Sequence, residues 1–274
     1  MNKISALFFD LDGTLLNSQK QISRKTAGTL QKCKDKGVKL FIATARPPLL
    51  DKMLSWDASV LSLFDGGSYY NGGCVVLDRY KSYTPVSDDV VRASIALVYR
   101  YDAVNIALQM ECEKHAFRFP LDGPGYRSWG LSADDAFSVN ETGDMKTIKI
   151  LIFYHNFVDT AVPVDGSLVS ALGALCENTA RLYLTDNGTL VQIMARGVNK
   201  ANGVKKIQAA YGFTNDEIAV FGDDVNDIEM LTGCRVSVAV ANAPNDVKAA
   251  ANYICGSNDC DGVAEWIEDN VLID

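Results

Sequence analysis

Near-continuous apolar runs at 4–9, 38–43 and 218–221, with a fourth at 235–240, predict strands buried on both faces, as in a parallel sheet. Between the first two, Ser23 is placed to cap a helix whose apolar positions Ala27, Leu30 and Cys33 follow helical spacing, and Gly37 is placed to end it. Strand, helix, strand over this length predicts a βαβ unit with a right-handed crossover. From about residue 83 the pattern changes. Ser87 opens a helix with Val91, Ser94, Ile95 and Val98, then 104–110 alternates as a strand, with 115–119 as its hairpin partner. A second alternating run, 146–153, puts Ile148, Ile150 and Ile152 on one face. A helix over 170–176 follows, then strands 181–185 and 190–194 on either side of the turn Asp186-Asn187-Gly188. Alternation predicts a sheet buried on one face only. The last third returns to the first pattern, with a helix over 204–211, the run at 218–221, and further helices around Ile228 and Leu231, after Pro244, and through Val263, Trp266 and Ile267. The expected fold is α/β, a Rossmann-like doubly wound parallel core formed by 1–82 and 188–274, with an inserted α+β module over 83–187.

Composition narrows the function. The chain has 274 residues, 48% hydrophobic and 22% charged, enough for one large core or two modest ones. A formal net charge of -8 repels polyanions, so nucleic acid is not the expected partner and an anionic ligand must be captured locally. The seven cysteines are scattered, without Cys-x-x-Cys spacing, which favours reduced thiols over a disulfide framework or a zinc site. No apolar run approaches the ~18 residues that span a bilayer, so a cytoplasmic protein without a membrane partner is expected.

The chemistry gathers where strands end. The first run closes in Asp10-Leu11-Asp12-Gly13-Thr14, two carboxylates on the same side of an extended strand, able to hold one hard cation or to divide labour as nucleophile and acid/base. Alone, the same residues could equally make a polar turn. The second run ends in Thr44-Ala45-Arg46 and the third in Gly222-Asp223-Asp224-Val225-Asn226-Asp227. In one parallel sheet these ends share an edge and can meet in one cleft. Lys200, just ahead of a helix, meets the positive end of that helix's dipole, so something anionic should offset it, such as a phosphate. Arg46 could reach a substrate or pair with an acidic loop, His115 and His155 read as structural or solvent-facing, and Trp129 reads as loop packing rather than a substrate platform.

In these motifs the chain resembles the haloacid dehalogenase superfamily, and most closely its Cof-type phosphatases, whose cap domain is inserted between the second and third core motifs. The match rests on Asp10-Leu-Asp12-Gly13-Thr14, Thr44-Ala-Arg46, Gly197-Val-Asn-Lys200 and Gly222-Asp223-Asp224-Val-Asn226-Asp227. Asn71-Gly72, Asn242-Ala243 with Lys248, and Asp261-Gly262-Val263-Ala264 support it. Ala45 replaces a glycine common in the second motif, and no proline precedes the Lys200 motif. The resemblance implies a phosphomonoester hydrolase of small metabolites such as sugar phosphates. Asp10 would be the nucleophile and Asp12 the acid/base. Mg²⁺ would be held by Asp10, the backbone carbonyl of Asp12 and Asp223, with Asp227 as ligand or just behind. Thr44, Lys200 and Asn226 would bind phosphate, with Arg46 and Asn71 near the substrate, and the cap would choose it. A phosphomutase of the same superfamily is the alternative, separated by exchange of label between sugar positions. A receiver-like phospho-aspartate protein fits poorly, since such domains have about half this length. Oligomeric state is not readable.

Overall fold

The computed structural model describes residues 3–54, 56, 58–78, 80–154 and 162–273. In chain order its strands are β1 (Ala6–Phe9), β2 (Lys39–Ala43), β3 (Gly66–Tyr69), β4 (Cys74–Leu77), β5 (Tyr80–Tyr83), β6 (Val104–Met110), β7 (His115–Phe117), β8 (Ala136–Ser138), β9 (Thr147–Tyr154), β10 (Ala180–Thr185), β11 (Leu190–Ala195), β12 (Ile218–Gly222), β13 (Val236–Val240) and β14 (Tyr253–Cys255). They form two compact units. The first comprises 1–46, 54–82 and 199–274, and the second 47–53 and 83–198.

The first unit carries an eight-stranded sheet of order β14-β13-β12-β1-β2-β3-β4-β5, parallel from β14 through β3. The apolar runs behave as expected, β1, β12 and β13 being buried at every position. Phe8 stacks on Phe41, and Phe9 on Phe221, at ring separations of 5.0 and 5.1 Å. Ser23 caps helix Arg24–Asp35 by accepting from the Thr26 N–H, and the helix buries Leu30 and Cys33. From β1 the chain builds outward through β2 and β3, then returns to place β12 against the other side of β1. The strand order therefore reverses at β1, the position at which open α/β sheets bind ligands beyond their strand ends.

β3, β4 and β5 were not expected. Gly66-Gly67-Ser68 has little strand propensity, and pairing of Phe41 to Ala43 with Gly66 to Ser68 orders it.

The second unit has a six-stranded sheet of order β10-β11-β9-β6-β7-β8, antiparallel except between β7 and β8. On one face, helices Asp88–Val98 and Gly166–Cys176 cover Val104, Ile106, Leu108, Ile150, Ile152 and Ile193. The second helix starts before the expected position 170, because Asp165 caps it through the N–H groups of Ser167 and Leu168. The expectation of one buried face is corrected, since every residue of β6 is buried. The opposite face, with Ala107, Phe117, Leu151 and Phe153, packs under Leu131, Trp129, Tyr126, Leu121 and Leu49. The expected join at 187/188 also moves. β11 pairs with both β10 and β9, which draws residues 188–198 into the second unit. His115 is buried, and Trp129 packs against it and against Phe117 and Phe153; His155 lies outside the described residues.

All seven cysteines are free thiols, only Cys112 and Cys260 being exposed. Among the described residues no helix is long and apolar enough to cross a membrane.

Candidate active site

Asp10 follows β1 directly, and its N–H donates to the Phe221 carbonyl at 3.0 Å, so the parallel ladder holds its backbone against β12. On the far side β12 ends in Gly222, Asp223 and a turn that returns Asp227 beneath them. Asp227 Oδ2 accepts from the N–H groups of Asp223 and Asp224, both at 3.1 Å. Gly222 is required by that return, because a Cβ there would lie 2.6 Å from the Asp227 side chain. Lys200, the first residue of helix Lys200–Tyr211, sends its ammonium between two of these carboxylates, 2.5 Å from Asp10 Oδ1 and 2.8 Å from Asp227 Oδ1. The anion expected opposite the helix dipole is thus present as two side chains, and all three groups are buried.

Asp223 completes this cluster from a half-buried position, its Oδ1 accepting from the Thr14 hydroxyl at 2.8 Å. Gly13, at φ +81°, passes so close that a Cβ would lie 2.3 Å from Asp223 Oδ2. The glycine is needed both for its left-handed backbone and for the missing side chain.

One ammonium cannot balance three carboxylates. Burial, with repulsion from Asp227 and Asp223, raises the Asp10 carboxyl well above its usual range despite Lys200. Burial and the charge of Asp227 push Asp223 up to about 7. Burial alone would lower Lys200, but Asp10 and Asp227 outweigh it and keep the ammonium protonated. The cluster is therefore short of positive charge. Asp10, Asp223 and Asp227 each present an oxygen, all within 4.8 Å of one another, which is the hard-donor set that a small divalent cation takes. The residues fit such an ion.

Asp12 is placed differently. Its carboxylate is not among those oxygens; Arg46 grips it in a fork, Nε to Oδ2 at 2.6 Å and Nη2 to Oδ1 at 2.7 Å, and Lys20 adds a bond to Oδ1 at 2.8 Å. Burial works to raise this carboxyl, but Arg46 and Lys20 together pull it down to about 2. In this arrangement Arg46 pairs with the acidic loop after β1. The sequence offered no signal for Lys20, whose approach depends on a positive φ of 60°.

Thr44, Asn71 and Asn226 form a third group. The Thr44 hydroxyl accepts the Arg46 N–H at 3.1 Å, and the Asn71 N–H donates to the Thr44 carbonyl at 3.0 Å. Asn226 Nδ2 donates to Asn71 Oδ1 at 3.1 Å, while the buried Asn226 Oδ1 has no partner among the described residues.

A doubly wound sheet with carboxylates at its reversal point, in a chain that also forms a second α+β unit, is the arrangement that the sequence motifs led us to expect. A family model of haloacid dehalogenase-like hydrolases matches residues 7–267. The chain is 29% identical, over 273 residues and 95% of each protein, to a 5-amino-6-(5-phospho-D-ribitylamino)uracil phosphatase of Bacillus subtilis. It is 30% identical to a chloroplastic endoribonuclease of Arabidopsis thaliana, matching 97% of this chain but 46% of that protein. Among solved structures, a subclass IIB sugar phosphatase superposes with a TM-score of 0.81 at 24% identity, covering 98% of this chain and 100% of that one. The chain belongs to the haloacid dehalogenase-like hydrolase family, and its enzyme class is that of the phosphatases.

Proposed function

We propose that the protein hydrolyses phosphomonoesters of small metabolites, sugar phosphates or similarly polar compounds, through an aspartyl-phosphate on Asp10, with Mg²⁺ as cofactor and the cytoplasm as its setting. The observation that carries this reading is the cluster of buried Asp10 and Asp227, bridged by Lys200, with half-buried Asp223 at the point where the sheet order reverses. That relatives named as phosphatases match over nearly the whole chain supports the substrate class.

In the proposed mechanism Lys200 fixes Asp10 Oδ1, leaving the other oxygen to attack phosphorus. As the P–O bond to the leaving group breaks, Asp12 gives that oxygen its proton. Asp12, now ionised, takes a proton from water as the water attacks the phosphoryl-aspartate, releasing phosphate and restoring both carboxyls. The pairing with Arg46 and Lys20 favours the ionised form, the one this second step uses. Mg²⁺ would be held by Asp10, Asp223 and Asp227 with the Asp12 backbone carbonyl, and when bound it would neutralise charge gathering on the phosphoryl oxygens. Lys200 and Thr44 would bind those oxygens, and Asn226, through its bond to Asn71, would order the loop that carries Asp227.

The test is release of inorganic phosphate from a panel of sugar phosphates, nucleotides and 4-nitrophenyl phosphate, with and without Mg²⁺. Release that requires Mg²⁺ and falls more than about a thousandfold in Asp10→Asn, with the fold retained by circular dichroism, is expected for a lost nucleophile. Activity surviving Asp10→Asn would sink the covalent mechanism.

A further inference from the structure

We infer that Lys20 is a positioning residue of the reaction, holding the carboxyl of Asp12 in register for proton transfer; this rests on the reading of Asp12 as acid/base. An exposed lysine paired to an aspartate is ordinarily a weak surface contact. Here the chain is built to make it. Lys20 adopts φ +60°, a left-handed conformation uncommon for any residue but glycine, and an outlier of this kind points to a functional constraint.

The turn that imposes this conformation is closed from several sides. Asn17 Oδ1 accepts from the N–H groups of both Gln19 and Gln21, each at 3.0 Å. The Lys20 N–H donates to the Asn17 carbonyl at 2.9 Å, and the Asn17 N–H to the Gln21 carbonyl at 3.0 Å. The segment is also pinned to residues more than two hundred positions away. Asn258 Nδ2 donates to the Leu16 carbonyl at 2.9 Å, Asp259 Oδ1 accepts from the Ser18 N–H at 2.6 Å, and Asn242 Nδ2 donates to the Gly13 carbonyl at 2.8 Å. The loop from Gly13 to Gln21 is therefore a fixed mount, and the ammonium it carries reaches Asp12 Oδ1 at 2.8 Å.

The two oxygens of Asp12 are held unequally. Among the described residues, Oδ1 accepts from both Lys20 and Arg46, whereas Oδ2 accepts from Arg46. Were an anionic substrate to draw Arg46 away, Lys20 would still hold Oδ1 and would leave Oδ2 as the oxygen free to carry the proton. No bond to Lys20 is made or broken in the step.

Glycine at position 20 removes the ammonium while suiting the backbone better than lysine, so Lys20→Gly keeps the turn. Phenyl phosphate and 4-nitrophenyl phosphate, similar in size, differ in how much their leaving oxygen needs a proton. With wild type, Asp12→Ala and Lys20→Gly compared, the expected result is that kcat for phenyl phosphate falls about tenfold in Lys20→Gly, while kcat for 4-nitrophenyl phosphate falls less than about threefold. KM and the melting midpoint stay near wild type, and Lys20→Arg restores most of the loss. A merely structural lysine would lower both substrates equally, and that outcome, or no loss, overturns the proposal if Asp12→Ala itself shows the leaving-group dependence. If Asp12→Ala shows none, the acid/base reading fails first and the role of Lys20 falls with it.

Discussion

The two sheets differ in the polar side chains they bring together. The antiparallel sheet buries one charged side chain, Lys149, and beside it three neutral ones that bond close by. Asn105 pairs with both backbone groups of Phe119 at 3.0 Å, Gln192 donates to the Thr185 hydroxyl at 2.7 Å, and Gln109 contacts His115 at 3.0 Å. In the parallel sheet, Asp10, Lys200 and Asp227 come from positions far apart in the chain, and with half-buried Asp223 they set three carboxyl groups against one ammonium. Neutral, locally paired groups stabilise a fold without asking for a ligand. An unbalanced buried cluster is costly, and a fold that keeps one uses it.

Removing the single cation of that cluster should produce the largest loss of stability. Lys200→Met keeps much of the aliphatic volume but leaves Asp10 and Asp227 buried together, at a cost of about 3–5 kcal/mol. Urea denaturation at neutral pH measures it. Added Mg²⁺ should raise the midpoint of the variant more than that of wild type, since the ion replaces missing positive charge. A loss below about 1 kcal/mol would mean that the carboxylates are already protonated or hydrated, and the contrast between the sheets would dissolve.

How much of this contrast was legible in the sequence depends on where the information lay. Asp10, Asp223, Asp227 and Lys200 could be read because each sits at a strand end or a helix start, and a parallel sheet brings such ends together. Lys20 could not, because its approach depends on a backbone angle and on Asn17 closing a turn. The division of labour within Asp10-Leu11-Asp12 was also hidden. Spacing alone places both carboxylates on one side, yet β1 ends at Phe9 and the chain turns, so Asp12 meets Arg46 instead. In the second unit, Gln109 and Lys149 alternate with apolar neighbours and suggest a wet face. Their burial arises from packing that no local pattern encodes.

His115 tests the neutral side of the comparison. It is buried, its Nδ1 lies 3.1 Å from the Glu113 carbonyl, and burial lowers its pKa to about 4 from an ordinary 6.5. The unfolded chain therefore takes up this proton more readily than the folded one. The contribution of neutral His115 is complete above pH 6.5 and is lost as pH falls toward 4, on the order of 3 kcal/mol in all. His115→Gln, which cannot titrate, should flatten this part of the acid limb in denaturation measured from pH 7.5 to 4. An unchanged limb would show that the imidazole is reached by water.

The smallest effect comes from an ion pair that matches the buried one in length. Arg92 Nη2 lies 2.5 Å from Asp89 Oδ1, the same separation as Lys200 from Asp10. Their side chains are 70% and 91% exposed, against 2% and 6% for the buried pair. Water already solvates both surface charges, so Coulomb attraction is screened and ordering two mobile side chains consumes most of what remains. Arg92→Ala should therefore change stability by less than about 0.5 kcal/mol, with little further change on adding salt. Equal losses from Arg92→Ala and Lys200→Met would show that distance alone sets the strength of these pairs; a difference of several kcal/mol would assign it to burial and to the second carboxylate that Lys200 serves.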